Sequence, residues 1–207
     1  MGEGRRRGLN IGAGKVIKVT TDEEEWVNTD VLPLPGIDLR FNAFVYPWPI
    51  PSTSFDHIHC SHVAEHVPHQ TTTHAALNWD DPWGTNALIE WTRQLERLDG
   101  FFAFFAECWR VLRPCGTVYV EVPHAGSDGA DQDPTHQRYI VPSTIGYLCS
   151  NDSPPFDYRL PFFFTCQGAI YGVDEAFSGF PLEEVGRLAK HQRNVIPSIT
   201  FVLERQE

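Results

Sequence analysis

A short apolar run that breaks at once into two glycines constrains this chain more than any other stretch. Leu9-Asn10-Ile11 is followed directly by Gly12-Ala13-Gly14. A strand that ends in Gly-x-Gly turns sharply and lets the backbone approach a ligand where a side chain would collide. Sixteen residues after Gly14, the segment Trp26-Val27-Asn28-Thr29-Asp30 reads as a second strand closed by a carboxylate. An acid in that place can accept both hydroxyls of a ribose. Gly-x-Gly alone is far more often an ordinary turn than a binding loop, so its weight comes from the order of the segments downstream.

The rest of the chain alternates strand and helix patterns, which argues for an α/β sheet. Strands are predicted at 8–12, 26–30, 37–41, 55–60, 117–122, 162–173 and 196–204. Residues 15–25 have capping chemistry but little apolar periodicity, so the first crossover helix is short or absent. The Pro-rich run 46–51 is a stiff connector. Phe101, Phe104, Phe105, Cys108, Val111 and Leu112 recur at helical spacing, which predicts a helix over 100–112 whose aromatic face is core. A second helical pattern runs over 86–98. Residues 117–122 are nearly all apolar or β-branched, as in a central strand covered on both faces. Three stretches stand apart: a flexible basic tail (1–7), an insertion rich in Thr, His, Trp and Asp (68–99), and a Pro/Gly/Asp-rich cap (123–161). A connection as long as the last is usually functional. With 207 residues, 42% of them hydrophobic, one globular domain spanning 1–207 is expected.

Composition narrows the partners. A formal charge of −11 disfavours a nucleic-acid backbone, which needs clustered cations, and suits a small neutral or cationic ligand better. No apolar run reaches the ~18–20 residues that span a bilayer, and no apolar segment follows the basic N-terminus as in a secretory signal. Five cysteines without a C-x-x-C pair read as free thiols of a cytoplasmic protein, three of them in apolar or aromatic stretches as small core residues.

Taken in order, these motifs resemble those of class I S-adenosylmethionine-dependent methyltransferases of the small methyltransferase-domain type. LNIGAG resembles their first glycine motif, and WVNTDV their second strand with its ribose carboxylate. GIDLRFNAFVYPWPIPSTSFDHI, SHVAEHV and FFAECWRVLRPCGTVYVEVPH resemble the later blocks in sequence, the last being the most specific. ADQDPTHQRYI resembles a DPTH segment of some members. The resemblance covers roughly 8–142. It implies a three-layer Rossmann-like sandwich whose mostly parallel seven-stranded sheet ends in an antiparallel strand, and S-adenosylmethionine as cofactor. It also implies roles: Gly12, Ala13 and Gly14 under the methionine moiety, Asp30 on the ribose, Asn42 and Ala43 beside the adenine, and Ser61 and His62 facing the cofactor after strand four. Asn10 stands where many such proteins carry an acid and is expected to meet the cofactor's ammonium as a neutral partner. Cys115 replaces the first glycine of the usual Pro-Gly-Gly turn.

A methyl group leaves a sulfonium by in-line displacement, so alignment and desolvation of the nucleophile matter most. A hydroxyl or amine acceptor also needs a base. His136 and Asp133 are the first candidates, as a hydrogen-bonded pair, with His124 at the end of strand five and with Glu65 and His66 on the substrate side. The competing reading of Asp133-Pro134-Thr135-His136 is an Asx-type turn. Two other functions stay open: a cofactor-binding module without catalysis, and a zinc hydrolase built on His62, Glu65 and His66 as an H-x-x-E-H helix. No third zinc ligand stands out at a recognisable spacing, and no metal is expected. Trp79, Trp83 and Trp91 read as packing of the insertion, and His69 and His74 as surface residues.

Overall fold

A computed structural model describes residues 4–74, 81–149 and 160–206. Seven strands form one sheet: β1 (Arg6–Ile11), β2 (Glu24–Asp30), β3 (Leu39–Arg40), β4 (Phe55–Ser61), β5 (Leu112–Pro123), β6 (Phe164–Gly172) and β7 (Ser198–Arg205). Their order is β3-β2-β1-β4-β5-β7-β6. All pairings are parallel except those of β7, which runs antiparallel to both β5 and β6. The mostly parallel seven-stranded sheet with an antiparallel last strand is therefore observed. Five helices accompany it among the described residues: α1 (Thr85–Leu95), α2 (Gly100–Val111), α3 (Asp128–Asp131), α4 (Pro142–Gly146) and α5 (Leu182–Ala189). None is long and apolar enough to cross a membrane.

The core lies on one face of the sheet. Leu9, Ile11, Ile58, Cys60, Val118, Val120 and Val122 pack against Phe101, Phe104, Phe105, Cys108 and Val111 of α2, all buried. The helical spacing over 100–112 thus marks core, as predicted. Asp99 caps the helix by accepting from the Phe101 N–H at 2.9 Å. Inside this apolar helix two charges are fully buried. The Arg110 guanidinium donates to both oxygens of Glu107 at 2.8 Å, and to the carbonyls of Trp48 and Ile50 in the Pro-rich connector. Trp91 of α1 donates its indole N–H to Glu107 at 2.9 Å, so one ion pair ties connector, α1 and α2 together. Trp83, Trp91 and Trp109 cluster with centroids 5.5–6.1 Å apart, in keeping with packing; Trp79 lies outside the described residues.

The opposite face carries no crossover helix. Connections 12–23 and 31–38, both described, contain none, in keeping with the short or absent first crossover helix predicted over 15–25. β5 is consequently covered on one face only, and Tyr119 is 44% exposed where the apolar pattern predicts a doubly covered strand. His57 and His59 share that open face with a cavity of about 640 Å³, whose lining includes none of the predicted site residues. Over β1 and β2 the place of a crossover helix is taken by an extended strap, 13–20. It is held by two buried asparagines: Asn10 donates to the Val16 carbonyl and to Asn28, and Asn28 both accepts from the Lys18 N–H and donates to its carbonyl. The basic tail is also shorter than predicted. Arg6 and Arg7 belong to β1, and their guanidiniums meet Glu24 and Glu25 of the adjacent strand at 3.0 and 3.5 Å. His69 and His74 are exposed, as expected. The five cysteines are free; Cys60, Cys108 and Cys149 are buried and Cys115 and Cys166 exposed.

Candidate active site

Strand order reverses between β1 and β4. From β1 the chain turns back toward β2, and from β4 it goes on toward β5, so the loops leaving the two carboxyl ends part and open a crevice there. The first loop is the glycine turn. Gly12 and Gly14 both have positive φ, +62° and +53°, values that cost an L-residue and not a glycine. A Cβ on Gly12 would lie 2.5 Å from a methyl of Val63, the residue that brings the loop after β4 against the turn. The Ala13 N–H donates to the Thr29 carbonyl at 2.8 Å. Next to it the Gly14 N–H donates to Oδ2 of Asp30 at 2.9 Å, and Oδ1 of Asp30 accepts from the Leu32 N–H at 2.8 Å. Each oxygen of an ionised carboxylate has a second lone pair, so Asp30 can still accept two hydroxyls. Val31 and Leu32, each 55% exposed, come directly after it and offer apolar surface at the same edge; their signal in the sequence is apolar character straight after the carboxylate.

Asn42 is exposed, and its Oδ1 accepts from the Phe44 N–H at 2.9 Å in a local turn. It lies one residue past Phe41, whose N–H reaches the Asp30 carbonyl, so Asn42 and Ala43 share the crevice edge with the ribose candidate. Asn10 does not face the crevice. It is 2% exposed with its amide N–H groups spent on the strap, and so it positions the turn rather than a ligand. At the end of β4, the Ser61 hydroxyl donates to Glu121 at 2.9 Å. His62 has φ of +56° and sits 3.2 Å from Glu65; that hydrogen bond raises the imidazole's pKa against the opposing effect of burial.

The H-x-x-E-H stretch does not form a helix with His62 and His66 on one face. Only Ala64–His66 is helical, a single 3-10 turn that His62 precedes. What the fold brings to Glu65 and His66 instead is the segment 133–138. The backbone N–H groups of Gln137 and Arg138 both donate to the Glu65 carbonyl, at 2.8 and 3.0 Å. The Arg138 guanidinium donates to the carbonyls of Val67 and Pro68 and pairs with Asp99 at 2.9 Å. This clamp sets His136 beside His66, with ring centroids 4.6 Å apart. Sequence reasoning misses Arg138, because a lone Arg in a polar loop carries no mark.

The expected pairing of the Asp133 and His136 side chains is not made; the two residues meet through the main chain, the His136 N–H donating to the Asp133 carbonyl at 3.1 Å. Oδ1 of Asp133 accepts from the Thr135 N–H and hydroxyl at 2.8 and 2.7 Å, which is the Asx-type turn. The Thr135 bonds, hydroxyl first, hold its carboxyl below the usual range. Since the Thr135 hydroxyl proton points to Asp133, its oxygen accepts from Nδ1–H of His66 at 2.9 Å. Nδ1 of His136 lies 3.0 Å from the Ala130 carbonyl, an acceptor only, and therefore carries the proton. Both rings are thus set with Nε2 as the bare lone pair of the neutral imidazole. His124 is set the other way. Its Nδ1 accepts from the Gly126 N–H at 3.1 Å, and burial lowers its pKa, so the neutral ring presents Nε2–H. His124 is a donor rather than the expected base.

No protein-family model and no curated protein sequence matches the chain. Solved structures do. A SAM-dependent methyltransferase from Archaeoglobus fulgidus superposes with a TM-score of 0.57 at 17% identity, over 98% of this chain and 87% of its own. A Listeria monocytogenes protein assigned as an S-adenosylmethionine-dependent methyltransferase gives 0.55 at 9% identity, over 98% and 91%. The [4+2]-cyclase SpnF gives 0.52 at 12% identity, over 99% and 76%. The chain has the class I S-adenosylmethionine-dependent methyltransferase fold, and the cyclase illustrates that one such fold hosts more than one chemistry.

Proposed function

We propose that this chain, folded as the class I methyltransferases are, binds S-adenosylmethionine in the β1/β4 crevice and transfers its methyl group to an oxygen or nitrogen of a small or medium-sized acceptor. The observation that carries the reading is the contact between Asp30 and the glycine turn, with two carboxylate lone pairs left for a ribose. Residues around the turn fit that cofactor. Nothing lies within 4 Å of the Cβ position of Gly14, and no helix follows the turn. A pyrophosphate needs the positive end of a helix at this point; a nucleoside bearing a sulfonium does not, and an acidic protein suits its charge.

When bound, the cofactor supplies a methyl group on positive sulfur. The protein's part is to align the acceptor and exclude water. Glu65, His66 and His136 are assigned to the acceptor side, since their loop continues from the Val63 contact with Gly12. His124 donates a hydrogen bond from Nε2. A base for the acceptor proton is available as the Nε2 lone pair of either His66 or His136.

Calorimetric titration with S-adenosylmethionine, S-adenosylhomocysteine and NAD tests this. Saturable uptake of the first two without the third is expected. Uptake of NAD alone, or of none of the three, overturns the reading. Release of S-adenosylhomocysteine in the presence of an acceptor library then separates an enzyme from a binding module.

A further inference from the structure

We propose that Glu65, His66 and His136 form a binding site for a first-row divalent transition metal ion, zinc being the best match to their chemistry. One carboxylate oxygen of Glu65 and one ring nitrogen from each histidine all lie within 4.8 Å of one another. Two imidazoles and one carboxylate are the donor set of catalytic zinc sites and of facial-triad sites for other divalent ions, which keep coordination positions open.

Three independent features support a metal rather than a chance meeting of polar groups. First, Glu65 is 2% exposed, and its Oε2 is buried without a hydrogen-bond partner while Oε1 meets His62. A buried carboxylate oxygen left unpaired is costly, and a cation would satisfy it. Second, both imidazoles have Nδ1–H anchored, His136 on the Ala130 carbonyl and His66 on Thr135. That is the outer-shell arrangement that orients a ligating histidine and leaves Nε2 to the ion. Asp133 completes the relay on the His66 side, which gives the Asx turn a second use. Third, the backbone clamp from Gln137 and Arg138 to the Glu65 carbonyl fixes the two strings of residues against each other. Donor atoms that all lie within 4.8 Å of one another can close onto one ion with zinc bonds of ~2.0–2.1 Å by side-chain adjustment.

The placement deepens the methyl-transfer reading and, in this part, rests on it: an open position on the ion would hold the acceptor's oxygen or nitrogen and lower its pKa, so that its proton leaves to solvent and the ion replaces the free Nε2 base, and the acceptor class is one that chelates or ligates a metal. Metal binding itself does not depend on that reading.

The test is titration of the full chain with zinc chloride, followed by calorimetry and by the imidazole nitrogen resonances in NMR. One equivalent should bind, and the Nε2 resonances of His66 and His136 should move while those of exposed His69 stay in place. His136→Ala and His66→Ala, which each remove a ligand, should weaken binding by at least ~100-fold, and Thr135→Val, which removes the His66 anchor and its hydroxyl bond to Asp133 but no ligand, by about tenfold. Absence of zinc uptake overturns the proposal, as does uptake that moves no resonance of His66 or His136. The wild-type NMR measurement decides the matter even where a variant fails to fold. Zinc bound without S-adenosylmethionine uptake would sink the methyl-transfer reading alone, and the reverse result would sink the metal alone.

Discussion

The carboxylate of Asp30 and the main-chain N–H of Gly14 meet at 2.9 Å at the carboxyl edge of β1 and β2, beside the β1/β4 crevice. The sugar candidate and the turn candidate are therefore one unit. Replacing Asp30 with Ala removes two charge-assisted acceptors, each worth about 1.5–3 kcal/mol. S-adenosylmethionine affinity should fall at least ~10-fold by calorimetry with an unchanged far-ultraviolet circular dichroism spectrum. An affinity within twofold of the parent would remove Asp30 from the site.

The buried Glu107–Arg110 pair governs stability rather than binding. Arg110→Met leaves Glu107 charged and partly unpaired in the core, and breaking such a pair costs about 3–5 kcal/mol. Urea unfolding should show a loss of that size. The double variant Glu107→Gln/Arg110→Met should lose less than the sum of the single changes, because the two residues share one network. Strict additivity would mean the pair is not coupled.

Acid sensitivity should have an identifiable source in Asp56. Burial pushes its carboxyl pKa up, but the Arg7 N–H and the Arg113 guanidinium outweigh it and hold the pKa below the ordinary value. The folded protein thus favours the ionised form. This contribution is complete above the unfolded pKa of about 3.9 and is lost as pH falls through the lower folded value. Asp56→Asn should lower the melting temperature at neutral pH, and the gap from the parent should close below about pH 4. A gap that stays constant down to pH 2 would contradict the assignment.

Local order in the sequence reveals most of the fold and only part of the site. Strand, glycine turn and Asp30 are close in the chain, so their relation can be read from spacing, and the face of α2 emerges from helical periodicity alone. Thr135 and His66 are 69 residues apart, and nothing in either segment announces the other. Without that contact the DPTH stretch reads as a proton-transfer pair or a turn; the fold makes it a turn that also orients two imidazoles. The role of Asn10 is hidden in the sequence because its environment depends on the strap, an element with no periodic signature. Glu107 and Arg110 sit at i,i+3 spacing, which on most helices is a solvated pair. Here α1 and the Pro-rich connector close over them.

The strap held by Asn10 and Asn28 continues directly from the glycine turn, and no helix covers that side of β1 and β2. Local breathing of 13–20 would strip partners from two interior amides and loosen the bend at Gly12 in the same event. Ligand seating and protection of this ribbon from exchange and cleavage are therefore two readouts of a single equilibrium. A nucleoside held by Asp30 and the glycine turn would quiet the ribbon beyond it, out to residue 20.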